Sequence, residues 1–401
     1  MPNPARPLPL SGVVVVDFTQ IYNGPYATFL MAMAGATVVK VEPPEGEHLR
    51  KRGSTGGAAL PFAMLNSGKL SVTANLKDPG GLALARELAA RADVLVENFA
   101  PGVMERLGLG YDALDALNPG LVYASGSGYG SDGPYRNYPA MDLTVQAISG
   151  VMSTTGEQDG PPTKAGPAVC DFFGGVHLYG AVVTALFDRE RSGRGRQVEV
   201  SMMEAIYTSM TSNLGLYFGS GGTGPQRTGN RHGGLSLCPY NVYPSADGYI
   251  AIICNHESHW EGLLHAMGRD DLRADPTLDS MKKRVARFDD VDRLVSDWTR
   301  TLPREVLFEK LLAQRVPSAP VRDLAEVVAD PHLRARGMLQ DIVHPEFGAI
   351  TVPHSPMRYA GSPRGELEPS AALGTHNERV WSGMLGRSAA QLRQLREAGA
   401  I

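Results

Sequence analysis

The sequence has 401 residues, 43% of them apolar and 20% charged, with a formal net charge of −4; this is the balance of an ordinary folded protein long enough for two or three domains. Such a charge gives no reason to expect a nucleic-acid or membrane-surface partner, and the apolar run near the start, residues 12–16, falls far short of a bilayer span. Three cysteines (Cys170, Cys238, Cys254), none in a C-x-x-C pair, fit a reducing compartment and argue against a structural zinc site, and "MPNPARPLPLSG" lacks the apolar core of a signal peptide, so a cytoplasmic location is expected.

The first half alternates strand and helix. "GVVVVDF" (12–18) reads as a buried strand, "PYATFLMAMAG" (25–35) as a helix with Pro25 at its first position, and "ATVVKVE" (36–42) as the next strand. "KLSVTANL" (69–76) is a third strand and "PGGLALARELAARA" (79–92) a helix. "DVLVENF" (93–99) and "LVYASGSGYG" (121–130) are further strands flanking the helix "PGVMERLG" (101–108). The alternation predicts a parallel, doubly wound sheet with helices on both faces. "GRGRQVEVSM" (193–202) carries another strand, followed by the helical "MEAIYTSMTSNLGLYF". Residues 219–234, "GSGGTGPQRTGNRHGG", hold seven glycines in sixteen residues and exclude a regular element. "NVYPSADGYIAIIC" (241–254) reads as a hairpin turning at Asp247-Gly248, helices follow to about 330, and a proline-punctuated tail ends in the helix "SAAQLRQLREAGAI". These shifts divide the chain into 1–218, a glycine-rich linker and smaller unit at 219–330, and a return segment at 331–401.

Several stretches invite chemistry. The loop "TQIYNG" (19–24) leads into a helix N-terminus suited to a phosphate, with Glu42 ending the second strand, yet the G-x-G-x-x-G fingerprint of dinucleotide binding is missing. "NHESHWE" (255–261) is not H-E-x-x-H, and reads better as a helix start capped by Asn255 than as a metal site. Cys170 lacks a visible base and reads as a core thiol. His232 reads as a loop histidine, and Asp142 as a helix cap. "AGPAVCDFFGG" (165–175) is different, because it places an acid, Asp171, among apolar residues at the start of an apolar helix. Asp171 would cap that helix and also stand poised as a nucleophile, with Gly174 and Gly175 leaving room for a thioester.

Six segments in order carry a resemblance along nearly the whole chain: "DFTQIYNGPYATFLMAMAGATVVKVEPPEGE" (17–47), "ADVLVENFAPGVMERLGLGYDAL" (92–114), "DGPPTKAGPAVCDFFGG" (159–175), "RSGRGRQVEVSMMEA" (191–205), "ADPHLRARGM" (329–338) and "LGTHNERV" (373–380). Together they resemble the class III (family III) CoA-transferases, a group that also contains the α-methylacyl-CoA racemases. The resemblance implies a Rossmann-like large domain with a parallel sheet plus a smaller α+β domain, in an interlocked homodimer. It implies transfer of CoA from an acyl-CoA donor, with a lean toward succinyl-CoA and related dicarboxylyl-CoAs, to a small carboxylic acid. No metal is implied, and no cofactor beyond coenzyme A as co-substrate.

By that resemblance Asp171 is the catalytic residue, forming an aspartyl-acyl anhydride and then an aspartyl-CoA, with nearby backbone N–H groups stabilising the oxyanion. The implied CoA-binding residues are Ile21, Tyr22, Asn23, Lys77, Asn98, Phe99, Arg106 and Met141. Gly233 and Gly234 stand where the family has an active-site glycine loop, although its consecutive run is not reproduced. Pro43 and Pro44 occupy the place of a phosphate-binding arginine, leaving Arg50, Lys51 or Arg52 for that task. Met141 replaces the histidine of the racemases and carries no proton, which disfavours racemisation. A 2-methylacyl-CoA racemase or isomerase stays as the enzyme alternative, and a non-catalytic CoA-binding protein is the third reading.

Overall fold

In the computed structural model residues 6–51 and 60–401 are described, so Arg52 lies outside the described residues. The chain divides into two units, one of Met1–Val145, Pro167–Ile206 and Val328–Ile401, the other of Gln146–Gly166 and Tyr207–Val327.

The first unit is built on six strands: β1 (Val14–Asp17), β2 (Thr37–Glu42), β3 (Leu70–Thr73), β4 (Val94–Glu97), β5 (Val122–Ser127) and β6 (Gln197–Ser201). They pair in parallel in the order β3-β2-β1-β4-β5-β6. Both faces are covered at the centre of the sheet, which is why β1 opens with Val-Val-Val and β4 with Val-Leu-Val without polar alternation. The two-residue period sends neighbours to opposite cores. Val16, Val39 and Leu95 pack with Leu84, Leu88 and Trp381, whereas Val15, Val38, Val94 and Val96 pack with Ala27, Met31, Leu178 and Val182.

Two helices dominate the second face. Asn23–Met33 starts two residues earlier than the sequence suggests, so Pro25 is its third residue, a position that still needs no backbone donor. The long helix Val169–Ser192 buries Gly174, Gly175, Leu178, Val182, Ala185 and Leu186 along one stripe and ends at Gly193 with φ of 69°. Its glycines serve packing. A methyl on Gly174 would meet Asn23 Nδ2 at 2.1 Å, and one on Gly175 would meet the Asn23 carbonyl oxygen at 2.5 Å. The space at 174–175 is therefore occupied by the first helix, not reserved for a thioester.

The return segment seals the sheet. β3 is an edge strand, and an open edge is a liability. The "THN" of the sixth resemblance segment covers it: Ser71 N–H donates to His376 Nδ1 at 3.0 Å, and Thr73 N–H to Asn377 Oδ1 at 2.8 Å. This segment also forms an antiparallel hairpin, Leu339–His344 with Gly348–Pro353, where the sequence suggested an irregular tail. Its last helix, Ala389–Glu397, carries a full capping box from Ser388 and Gln391.

The second unit holds three antiparallel strands, Tyr240–Pro244, Tyr249–Ile253 and Ser318–Pro320, the first two forming the expected hairpin. Its core gathers Trp260, Leu263, Leu264, Val291, Val295, Leu307 and Leu311. The helix after "NH" begins at Glu257 with His256, not Asn255, as its cap residue, and neither side chain bonds the free N–H groups. Among the described residues no cluster of three His, Cys, Asp or Glu is placed to hold a metal ion. The long helix Val169–Ser192 is the one described helix long and apolar enough to cross a membrane, and its stripe lies in the core of the first unit.

Candidate active site

In a parallel sheet the connections from β1 to β2 and from β4 to β5 run to opposite sides, which opens a crevice at the carboxyl ends of β1 and β4. A cavity of about 490 Å³ lies there. It is lined by the loop after β1 (Gln20, Ile21, Asn23), the loop after β4 (Asn98, Phe99), the loop after β5 (Ser127–Met141), and by Asp171 and Met202.

The loop after β1 is held from several directions. Asn98 clamps Gln20 with two bonds, accepting from its N–H at 2.8 Å and donating to its carbonyl at 2.9 Å. Ile21 has φ of 66°, a costly conformation for a β-branched residue, and its N–H donates to Glu47 Oε2 at 3.1 Å. Beneath the loop, Asp17 ion-pairs with Lys69 at 3.0 Å and accepts from Thr19 and Thr28. Burial alone would raise its pKa, but Lys69, Lys40 and the two hydroxyls hold it down to about 2. Lys40 Nζ donates to the Thr19 carbonyl at 2.8 Å.

Asp171 is the third residue of the long helix, whose cap position is Ala168. The cap expected of Asp171 comes instead from Asp142, whose Oδ1 accepts from the Cys170 N–H at 2.9 Å and the Asp171 N–H at 3.4 Å. Val169 N–H donates to the Pro167 carbonyl and Phe172 N–H to that of Ala168. The first-turn amides of this helix are therefore committed, and an oxyanion must find its donors elsewhere in the cavity. The cap also brings a second carboxylate beside Asp171. Burial, and then the charge of Asp142, push the Asp171 carboxyl up to about 7, and the residue is 7% exposed. Asn23 Nδ2 donates to the Asp171 carbonyl at 3.4 Å, and Phe172 packs edge-on to Tyr26. The Cys170 thiol is fully buried and pushed up to about 12 by burial, then by Asp142 and Asp171, which leaves it inert.

Ile21, Asn23, Asn98, Phe99, Met141 and Asp171 thus meet around one cavity. Tyr22 stands beside it, stacked on Phe172. Lys77 is exposed in the turn after β3, and Arg106 is exposed on the short helix Val103–Arg106; neither lines the cavity. Gly233 and Gly234 belong to the second unit, where Gly233 lines a separate cavity of about 160 Å³ with Tyr207, Met210 and Tyr217. Arg50 is engaged by Glu42 through two bonds of 2.7 and 2.9 Å and lies over the Phe62 ring. The lining residues that sequence reasoning missed include Gln20, Ser127, Tyr129, Arg136, Tyr138 and Met202. The signal for those after β5 was its place as a strand end facing the crevice, in the glycine-rich "GSGYG".

A family model described as CoA-transferase family III matches residues 10–377. The chain is 36% identical to a formyl-CoA:oxalate CoA-transferase of Streptomyces coelicolor, over 98% of this chain and 99% of that protein. It is 38% identical to a succinyl-CoA:mesaconate CoA-transferase of Haloarcula hispanica, over 93% of this chain and 99% of that protein. A crystal structure of a CAIB/BAIF family protein from Brucella suis superposes with a TM-score of 0.81 at 32% identity, covering 94% of this chain and all of that one.

Proposed function

The chain belongs to CoA-transferase family III, and from that premise we propose that Asp171 is its acyl acceptor, moving CoA from an acyl-CoA, succinyl-CoA or a related ester, to a small carboxylic acid. The observation that carries this reading is Asp171 itself, a buried carboxylate pushed up to about 7 and the one acid among the residues lining the cavity at the carboxyl ends of β1 and β4. On this route an Asp171 oxygen attacks the thioester carbonyl, the C–S bond breaks, and CoA leaves as thiolate. The thiolate attacks the Asp171 carbonyl of the mixed anhydride, releasing the donor acid and leaving aspartyl-CoA. An oxygen of the acceptor carboxylate then displaces the thiolate from that thioester, forming a second anhydride. Attack of the thiolate on the acceptor acyl carbon yields the new CoA ester and restores Asp171. No oxidant or metal enters the balance, and coenzyme A is the one co-substrate.

Ile21, Tyr22, Asn23, Asn98, Phe99 and Met141 would contact the CoA arm near the thioester, with Lys77 and Arg106 meeting its outer part. Gly233 and Gly234 remain the candidates for a covering loop. The chain would act in the cytoplasm as an interlocked homodimer. The two relatives act, by their names, on oxalate and mesaconate, both dicarboxylic acids, and the acceptor here would be of that kind. The test is trapping. With acyl-CoA and hydroxylamine, mass spectrometry should find a hydroxamate at Asp171, and Asp171→Asn should abolish turnover. Unmodified Asp171, or turnover surviving the substitution, sinks the reading.

A further inference from the structure

The approach of an acid to this cavity poses a charge problem. Asp171 lines it, and Asp142 stands behind Asp171. A substrate carboxylate must come close to both, and a dicarboxylate brings a second negative charge that needs its own partner. Among the residues that line the cavity, Asp171 and Arg136 are the two with a formal charge. Arg136 is exposed on the loop after β5 and has no ion-pair partner among the described residues; residues 1–5 and 52–59 contain no acid. This contrasts with Arg50, which its own glutamate already occupies.

The loop that carries Arg136 is not a loose arm. Tyr129 meets Tyr135 and Tyr138 edge-on at 6.1 and 6.2 Å, and Tyr135 stacks on Tyr138 at 5.0 Å. Tyr138 N–H donates to the Tyr135 carbonyl at 2.8 Å and Arg136 N–H to that of Gly133 at 3.4 Å. Three mutually packed rings at positions 129, 135 and 138 order the loop that carries Arg136, and a guanidinium matches a carboxylate with two parallel bonds.

We propose that Arg136 is the specificity residue for the acid, binding the carboxylate that does not react while the other reaches Asp171, so that the chain selects dicarboxylic over monocarboxylic acids. This rests on the reading of Asp171 as acyl acceptor. The bond exchange at Asp171 is unchanged; Arg136 sets which acid is held there.

The test uses the full chain with acetyl-CoA as a monocarboxylic donor, and glutarate and butyrate as acceptors. Arg136→Gln should lower kcat/KM for glutarate about 10- to 100-fold, the worth of a charged hydrogen-bonded pair, with Arg136→Lys recovering part of it. Hydroxamate formation at Asp171 from acetyl-CoA alone, and KM for acetyl-CoA, should move less than about threefold by the same reasoning, because a second acid carboxylate takes no part in either. A parallel loss of hydroxamate formation would assign Arg136 to the CoA phosphates and overturn the proposal, as would undiminished glutarate turnover. Calorimetry on Asp171→Asn separates the two layers. If glutarate binds that variant more tightly than butyrate and Arg136→Gln erases the difference, the inference stands even where the hydroxamate is absent. Equal binding of the two acids overturns it.

Discussion

Neutralising Asp171 should make the protein more stable, and by an amount that depends on pH. Its carboxyl titrates near 7 in the folded chain against an ordinary value of 3.8. Between those values the folded protein keeps a proton that the unfolded chain has released. Stability therefore falls as pH rises through that window, by about 1.4 kcal/mol per unit, and levels off above pH 7. From pH 5 to pH 8 the loss sums to about 3 kcal/mol. Asp171→Asn keeps the shape, cannot titrate, and offers an amide to the Asp142 carboxylate. Its advantage over the native protein should thus grow by about 3 kcal/mol between pH 5 and pH 8. Urea unfolding at constant ionic strength, read by circular dichroism at half-unit steps, measures the difference directly. A difference that stays flat with pH, or that grows in favour of the native chain, would refute the assignment of the raised carboxyl to Asp171.

On the proposed route Asp171 must be ionised to attack, so kcat/KM should climb from pH 6 to pH 8 with an apparent pKa near 7; in Asp142→Asn, which removes the second cause of the shift, the profile should move to lower pH. Gly175→Ala, whose methyl would sit 2.5 Å from the Asn23 carbonyl oxygen, should cost about 2–4 kcal/mol in thermal or urea unfolding. Gly180→Ala on the same helix meets nothing within 4 Å and should instead gain up to about 1 kcal/mol. Lys69→Met removes the ion pair of Asp17, a carboxylate at 0% exposure, and should cost about 3–5 kcal/mol by the same unfolding assay.

The parallel sheet was legible because strands buried on both faces lose the apolar/polar alternation, and the valine runs of "GVVVVDF" and "ATVVKVE", with a helix signal between them, point to such strands. The hairpin over Leu339–Pro353 was not, since "LQDIVHPEFGAITVP" mixes exposed polar and apolar residues around a proline and has no short glycine turn of the strongest type. At the site, Asp171 stood out by its misfit. Asp142 was legible as a helix cap but not as the neighbour of Asp171, because it is 29 positions away and only the fold places its carboxylate on the amide of Asp171. The glycines at 174 and 175 signalled a close approach truthfully, but one sequence cannot say what approaches, and here it is Asn23. Lys77 and Arg106 rest on family resemblance alone, and their exposure adds no physical argument for a ligand.

The shift at Asp171 bears on more than the ionised fraction. In a mixed anhydride between Asp171 and a substrate acid, thiolate attack on either carbonyl expels the opposite carboxylate, and the weaker base leaves more readily. An ordinary aliphatic carboxyl titrates near 4 to 5, so the substrate acid is the better leaving group beside an Asp171 raised to about 7. The first anhydride then favours aspartyl-CoA and release of the donor acid, which is the forward direction of transfer. The second anhydride meets the opposite bias, because product formation must expel Asp171 itself. A pKa far above 7 would speed the first exchange and stall the last, while an ordinary one would leave the first anhydride without a forward bias. On the proposed route burial of Asp171 sets most of that compromise, and the Asp142 carboxylate, fixed by its cap on the long helix, adds to it electrostatically without entering the covalent chemistry.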